Sequence, residues 1–170
     1  MTRQRVVWVS SDWHLWQENI CDWGGRPKDF TDRIIANCKY YIQPQDTLIH
    51  LGDVIFKHHD RLKSVMDSFP GTKILVRGNH DKETDSWYCR RGFSFVCDNL
   101  MIGNILLSHK PTDIRLRPDV KFNGHGHTHN NPKERWEKEI LEFYDNTRHK
   151  LLAMEYVDYK PVCFQSFFKL

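Results

Sequence analysis

Short apolar runs recur along the chain, and several stop abruptly at glycine, aspartate or histidine. Residues 6–9, 47–51, 73–76 and 93–96 read as strands, because each is a brief apolar run bounded by polar or turn residues. Between them the period changes. Residues 31–42 place Ile34, Ile35, Cys38, Tyr41 and Ile42 at helical spacing. Residues 59–69 repeat Leu62, Val65, Met66 and Phe69 in the same way, and Pro70-Gly71 closes that helix. Further on, 100–102 and 105–108 flank Gly103-Asn104, a hairpin signal. A short strand is expected at 120–122, a helix at 134–144 and a late strand at 151–156. The last ten positions, 161–170, are expected to pack on the surface through their phenylalanines. Strands alternating with helices and followed by hairpins predict an α/β domain with sheet at its centre. Ligands in such folds sit beyond the carboxyl ends of the strands.

Composition narrows the class. A chain of 170 residues is expected to form one domain, 1–170, with a substantial core. Its 39% hydrophobic and 28% charged content is that of a soluble protein. A net charge of +3 suits a phosphate-bearing ligand, but is too weak to argue for nucleic acid by itself. The cysteines are odd in number (5) and form no CxxC pair, which predicts reduced thiols, mostly in the core, and a cytoplasmic location. No apolar stretch approaches the length of a membrane span. Residues 6–9 are too short for a secretion signal.

The strand ends carry the chemistry. The sequence VVWVSSDWH runs into Asp12 and His14, and TLIHLGD into Gly52 and Asp53. The third strand ends in Gly78, Asn79, His80 and Asp81, and NILLSHKP ends in His109. VKFNGHGHTHN ends in histidines 125, 127 and 129. Two divalent ions about 3.5–4 Å apart can clamp the attacking and leaving oxygens of a phosphoryl group. A pair of ions needs a bridging carboxylate, and Asp53 is the candidate, because Gly52 lets the backbone turn sharply beside it. One ion could take Asp12, His14 and a cluster histidine; the other could take Asn79, His109 and a second cluster histidine. Mixed nitrogen and oxygen donors suit Mn, Fe, Ni, Co or Zn better than Mg or Ca, with Mn placed first. His80 need not ligate. It can face substrate and protonate the leaving oxygen, with Asp81 orienting its ring. A metal-bound hydroxide would be the nucleophile.

Taken together, Asp12-x-His14, Gly52-Asp53, Gly78-Asn79-His80-Asp81, His109 and Gly126-His127-Thr128-His129 resemble the motifs of calcineurin-like metallophosphoesterases, in that family's order. The flanks RPKDF, LSHKP, HGHTHNNP and VDYKPV resemble a small single-domain branch found in bacteria and their phages. The resemblance implies a four-layer αββα sandwich, two mixed β-sheets flanked by helices, with a dinuclear site at its edge. It implies that Asp12, His14, Asp53 and His129 hold one metal and that Asp53, Asn79, His109 and His127 hold the other. His80 is then the catalytic acid. The segment GHGHTH contains two overlapping G-H-x-H registers; the branch favours Gly126 to His129, leaving His125 outside the ligand set. Residues 132–150 look longer than this branch carries and could form a lid, a partner surface or a surface helix.

Three functions follow from this pattern. The first is a phosphoesterase acting on a phosphodiester or phosphomonoester, with a small phosphate ester or nucleotide as substrate. The second is a metal-binding scaffold without turnover, which is expected to lack the catalytic histidine or some ligands; none is missing here. The third is a nuclease, for which the sequence offers neither a long basic stripe nor an aromatic stacking run.

Overall fold

A computed structural model describes residues 3–169. Two sheets share the interior. In the first, β1 (Val7–Ser10), β2 (Thr47–His50), β3 (Thr72–Val76) and β4 (Phe95–Cys97) run parallel, and β9 (Val162–Cys163) pairs antiparallel with β1. The order is β4-β3-β2-β1-β9. In the second, the hairpin β5 (Asn99–Ile102) and β6 (Ile105–Ser108) continues in parallel through β7 (Phe122–His125) to β8 (His149–Leu151). Both sheets are therefore mixed, and helices flank them, as in metallophosphatase-like α/β folds.

The strand alternation explains the layers. Val9, Ile49, Leu51 and Val76 point to the second sheet, where they meet Ile105 and Leu107. Phe164 and Phe168 of α6 (Phe164–Phe168) join the same cluster. The opposite face carries Leu48 and Leu75. It packs on Ile34 and Cys38 of α2 (Phe30–Tyr41) and on Leu62, Val65 and Met66 of α3 (Leu62–Asp67). A parallel sheet buried on both faces needs the near-continuous apolar runs seen in the sequence. Cutting a fully buried side chain such as Leu51 or Leu107 to alanine costs about 2–5 kcal/mol. The outer face of the second sheet is covered differently. Leu106 packs against Ile114 and Val120 of the β6–β7 connection, and Asn123 accepts a hydrogen bond from the amide of Thr112 (2.8 Å).

Several elements depart from expectation, each for a physical reason. The strand expected at 120–122 begins at Phe122 and continues to His125, because polar Asn123 and His125 are buried under the connection rather than exposed. The late strand at 151–156 is a 3-10 turn over Met154–Tyr156, preceded by β8. Leu152, Ala153 and Met154 are all fully buried, so the run lacks the two-residue period of a half-exposed strand. The helix expected at 134–144 is broken by extended backbone at Trp136 (ψ 155°), leaving α5 (Lys138–Phe143), in which Ile140 alone is buried. The helix at 59–69 is a 3-10 turn, His59–Arg61, followed by α3. Two further short helices had no clear sequence signal: α1 (Ile20–Trp23) and α4 (Asp85–Cys89), the latter capped by the Thr84 hydroxyl accepting from Trp87 N–H. Among the described residues no helix is long and apolar enough to cross a membrane. All five cysteines are free thiols: Cys38 lies in the core, Cys21 and Cys97 pack against it partly buried, Cys163 is half-buried and Cys89 is exposed.

Candidate metal centre

The loops that leave β1, β2, β3, β6 and β7 converge at one edge of the two sheets. Main-chain bonds lock them together. Asp12 N–H donates to Gly52 O (3.0 Å), His14 N–H to Asp53 O (2.9 Å) and Gly126 N–H to His109 O (2.9 Å). Gly52 turns at φ +89°, and a Cβ there would collide with the backbone of Gly78. Gly126 is excluded from any larger residue for another reason: a Cβ would overlap Asp12 Oδ2 and Ser11 Oγ. Five side chains of the site sit on left-handed backbone, at Asp12 (53°), His14 (47°), Asp53 (58°), His127 (69°) and His129 (47°). Such conformations cost about 1–3 kcal/mol each and persist where the surrounding structure imposes them. This strain is concentrated where side chains must converge.

The convergence is tight. Asp12, His14 and His129 bring ligand atoms within 4.8 Å of one another, and so do Asp12, Asp53 and His109. Asp53 Oδ2 lies 3.4 Å from His14 Nε2 and 3.4 Å from His109 Nε2. Two donors on one ion with bonds of about 2.0–2.2 Å are separated by about 3–3.5 Å, so this single oxygen is spaced to share an ion with either imidazole. His109 donates its Nδ1 proton to Leu51 O (2.7 Å), and its Nε2 meets Asn79 Oδ1 at 2.8 Å. His129 sets Nδ1 on Glu155 Oε1 (3.2 Å) and turns Nε2 toward Asp12 Oδ1 (3.8 Å).

Electrostatics match a cation site. Burial opposes ionisation of Asp12, but His129, His109 and His14 outweigh it and hold the carboxyl below its ordinary range. Asp53 is likewise held low against its burial, by His109 and His14. Burial drives His14 down to about 4, so at neutral pH its imidazole is unprotonated and able to ligate. His109 goes the other way, to about 9, because Asp53 and Asp12 overcome its burial. His14 Nε2 is buried with no hydrogen-bond partner. An orphaned, unprotonated imidazole nitrogen beside two buried carboxylates fits a divalent ion.

The profile of the calcineurin-like phosphoesterase family matches residues 5–152. The chain belongs to the calcineurin-like phosphoesterase family. Among solved structures it is similar to the protein of unknown function AQ665 from Aquifex aeolicus. That match has 28% identity and a TM-score of 0.78, and covers 98% of this chain and 99% of that one. It also shares its fold with the Pseudomonas putida nuclease MPE, at 17% identity and TM-score 0.53, over 72% of this chain and 61% of the nuclease. No curated protein matches.

In this calcineurin-like chain the remaining site residues fall into distinct places. His80 lies at the opening, with its side chain 45% exposed and Nε2 4.0 Å from Asp53 Oδ2. Its backbone N–H donates to Asp53 Oδ1 (2.8 Å). Asp81 does not orient the His80 ring, contrary to the sequence expectation. Its buried carboxylate instead accepts from the amides of Asp53 (2.8 Å), Gly78 (2.8 Å) and Val54 (3.2 Å), tying the β2 exit to the β3 exit. Burial and the Asp53 charge push the Asp81 carboxyl up, against those three donors. His127 stands off the two clusters. Its ring meets His109 edge-on at 5.1 Å, and Nε2 rests on Glu137 Oε1 (3.3 Å), leaving Nδ1 as its free nitrogen. Glu137 also pairs with Lys110 (2.6 Å), so the 132–150 segment reaches back to the site.

Sequence reasoning missed Arg26 and Glu155. Buried Arg26 bonds Glu155 (2.8 Å), Trp13 O (2.8 Å) and Asp12 O (2.8 Å), and Glu155 in turn holds His129. Their partners lie far away in sequence, so no local spacing marks them. His125 is structural: it is fully buried on the outer face of the second sheet, between Gly126 O (2.9 Å) and Tyr144 Oη (3.1 Å). His149 stacks on the same tyrosine at 4.7 Å. Buried His50 accepts from Gly52 N–H through Nδ1 (3.1 Å). Arg77 bonds Asp81 O and Glu83 O and pairs with Asp85, which makes it a brace for the β3 exit loop.

Proposed function

We propose that this chain is a hydrolase that cleaves a phosphodiester or phosphomonoester at a dinuclear metal centre. The observation that carries the reading is the placement of Asp53 Oδ2, 3.4 Å from one imidazole nitrogen of each half-site. Asp12, His14 and His129 would hold one ion, Asn79, His109 and His127 the other, and Asp53 both. When bound, two divalent ions activate water and stabilise charge on the phosphoryl oxygens. Mixed nitrogen and oxygen donors without thiolate favour Mn, with Fe, Ni, Co or Zn as alternatives.

The chain's own groups divide the remaining work. Glu155 and the Leu51 carbonyl fix His129 and His109 with Nε2 turned inward. Asn79 supplies a neutral oxygen, which leaves the site more attractive to an anion than a third carboxylate would. His80 is exposed at the opening and fastened to Asp53 through its amide, so it can hand a proton to the leaving oxygen. The substrate is then a small phosphate ester or nucleotide, met in the cytoplasm, where free thiols stay reduced. The test is turnover of a chromogenic phosphodiester and its monoester by chelated protein with Mn, Ni, Co, Zn or Mg restored singly. Metal-dependent turnover that falls about 10²–10⁴-fold in His80→Ala, with metal still bound, supports the reading. Wild-type turnover in that variant, or none with any metal in the parent protein, overturns it.

A further inference from the structure

Two exposed aromatic rings flank the metal centre and take no part in its chemistry. Trp23, the last residue of α1, is 40% exposed and meets His129 edge-on at 5.3 Å between ring centres. Phe56, 37% exposed, meets His80 at 5.8 Å. His14 lies between the two histidines, 5.0 Å from His129 and 5.6 Å from His80. The rings thus form a chain of neighbours, from Trp23 through His129, His14 and His80 to Phe56, with the metal-type histidines in the middle and a partly exposed aromatic side chain at each end.

Neither Trp23 nor Phe56 belongs to an apolar core cluster, so neither is there to fill the interior. Both are held in place through their backbones. Phe56 N–H donates to Leu15 O (3.2 Å), next to the Leu15–Ile55 bridge, and the helix of Trp23 is closed by Gly24 N–H on Ile20 O (2.9 Å). A fixed backbone with an exposed ring suits a stacking platform, because little side-chain freedom is lost when a flat group lies on it.

We propose that Trp23 and Phe56 are stacking platforms for the two organic arms of the substrate, which is a phosphodiester with a nucleobase-like flat group on each arm. This rests on the phosphoesterase reading and adds the substrate class to it. Phe56 stands beside His80 and takes the leaving arm, since His80 protonates that oxygen. Trp23 stands beside His129 and takes the arm that is retained. A monoester would leave one ring uncovered. Stacking acts on bound substrate and transition state alike, so its loss raises KM and leaves kcat nearly unchanged.

The experiment compares metal-loaded protein on thymidine 5′-(p-nitrophenyl phosphate) and methyl p-nitrophenyl phosphate, which share a leaving group and differ in the retained arm. The thymidine ester is expected to be favoured in kcat/KM by about 5- to 150-fold, the range of one base–aromatic stack. Trp23→Ala should bring the ratio close to one. A folding defect lowers both rates together and leaves that ratio intact. At the other end, Phe56→Leu should raise KM for both esters by a similar factor, while Phe56→Tyr restores it. As a readout without turnover, calorimetry should show thymidine 5′-monophosphate binding more tightly than ribose 5-phosphate, with the difference lost in Trp23→Ala. A wild-type ratio near one, a ratio unmoved by Trp23→Ala, or an unchanged KM in Phe56→Leu overturns the platforms and leaves the phosphoesterase reading standing. If neither ester is turned over with any metal, that reading fails and takes the platforms with it.

Discussion

Removing the Asp81 carboxylate separates a structural role for this residue from a catalytic one. Asp81→Ala strips the acceptor from three backbone amides at once, those of Asp53, Gly78 and Val54, which it now holds at 2.8, 2.8 and 3.2 Å. A buried donor left without a partner costs about 1–3 kcal/mol. The three share two oxygens and adjoining loops, so the losses do not simply add; about 3–5 kcal/mol is expected, the upper part of the range for single substitutions. In a chain of this length 1 kcal/mol moves the melting temperature by about 2–4 °C, which puts the drop at about 6–20 °C. Asp81→Asn keeps one oxygen and can still serve Asp53 and Gly78, so it should lose only about 1–2 kcal/mol. Circular dichroism melts of the metal-free protein measure both. Once folded at low temperature, Asp81→Asn should keep most of the parent's turnover, and that turnover should still be lost on His80→Ala. If Asp81→Ala melted within about 2 °C of the parent and lost as much turnover as His80→Ala, the carboxylate would be acting through His80 and the structural account would be wrong.

Two further outcomes follow from the same contacts. In the metal-free protein His109 carries a proton up to about pH 9, held by Asp53 and Asp12. A metal taking Nε2 must expel that proton, so affinity should rise with pH between neutrality and about pH 9 and then level; calorimetry in two buffers of different ionisation enthalpy should show proton release, and a pH-independent affinity with none released would contradict it. Glu155→Gln should weaken metal binding about 10- to 100-fold while the fold is kept, since the carboxylate sets the His129 ring; a metal titration giving parental affinity would remove that role.

Much of the centre was visible in the chain because its parts sit just past strands. Asp12, Asp53, Asn79, His109 and His129 each follow an apolar run within a few residues, and a parallel sheet gathers such ends at one edge. The parallel strands β1 to β4 and the helices α2 and α3 were legible for a related reason, since strands buried on both faces write continuous apolar runs, whereas β9, α1 and α4 were not. What stayed hidden depends on distant pairing. Nothing local ties Arg26 to Glu155, or Glu137 to His127. Asp81 was misassigned because neighbours in sequence need not face each other; its side chain turns inward to the amides while the His80 ring turns out. The covering of the second sheet was also illegible, since buried Asn123 and His125 look like surface residues until the connection above them is placed.

The measurement that bears most directly on the centre is the metal content of the purified chain, counted by mass spectrometry after loading with Mn, beside that of Asp53→Asn. With Asp53 Oδ2 set between His14 and His109, the account predicts two ions per chain in the parent and fewer than one in the variant. No bound metal in the parent, or two ions in Asp53→Asn, would contradict it.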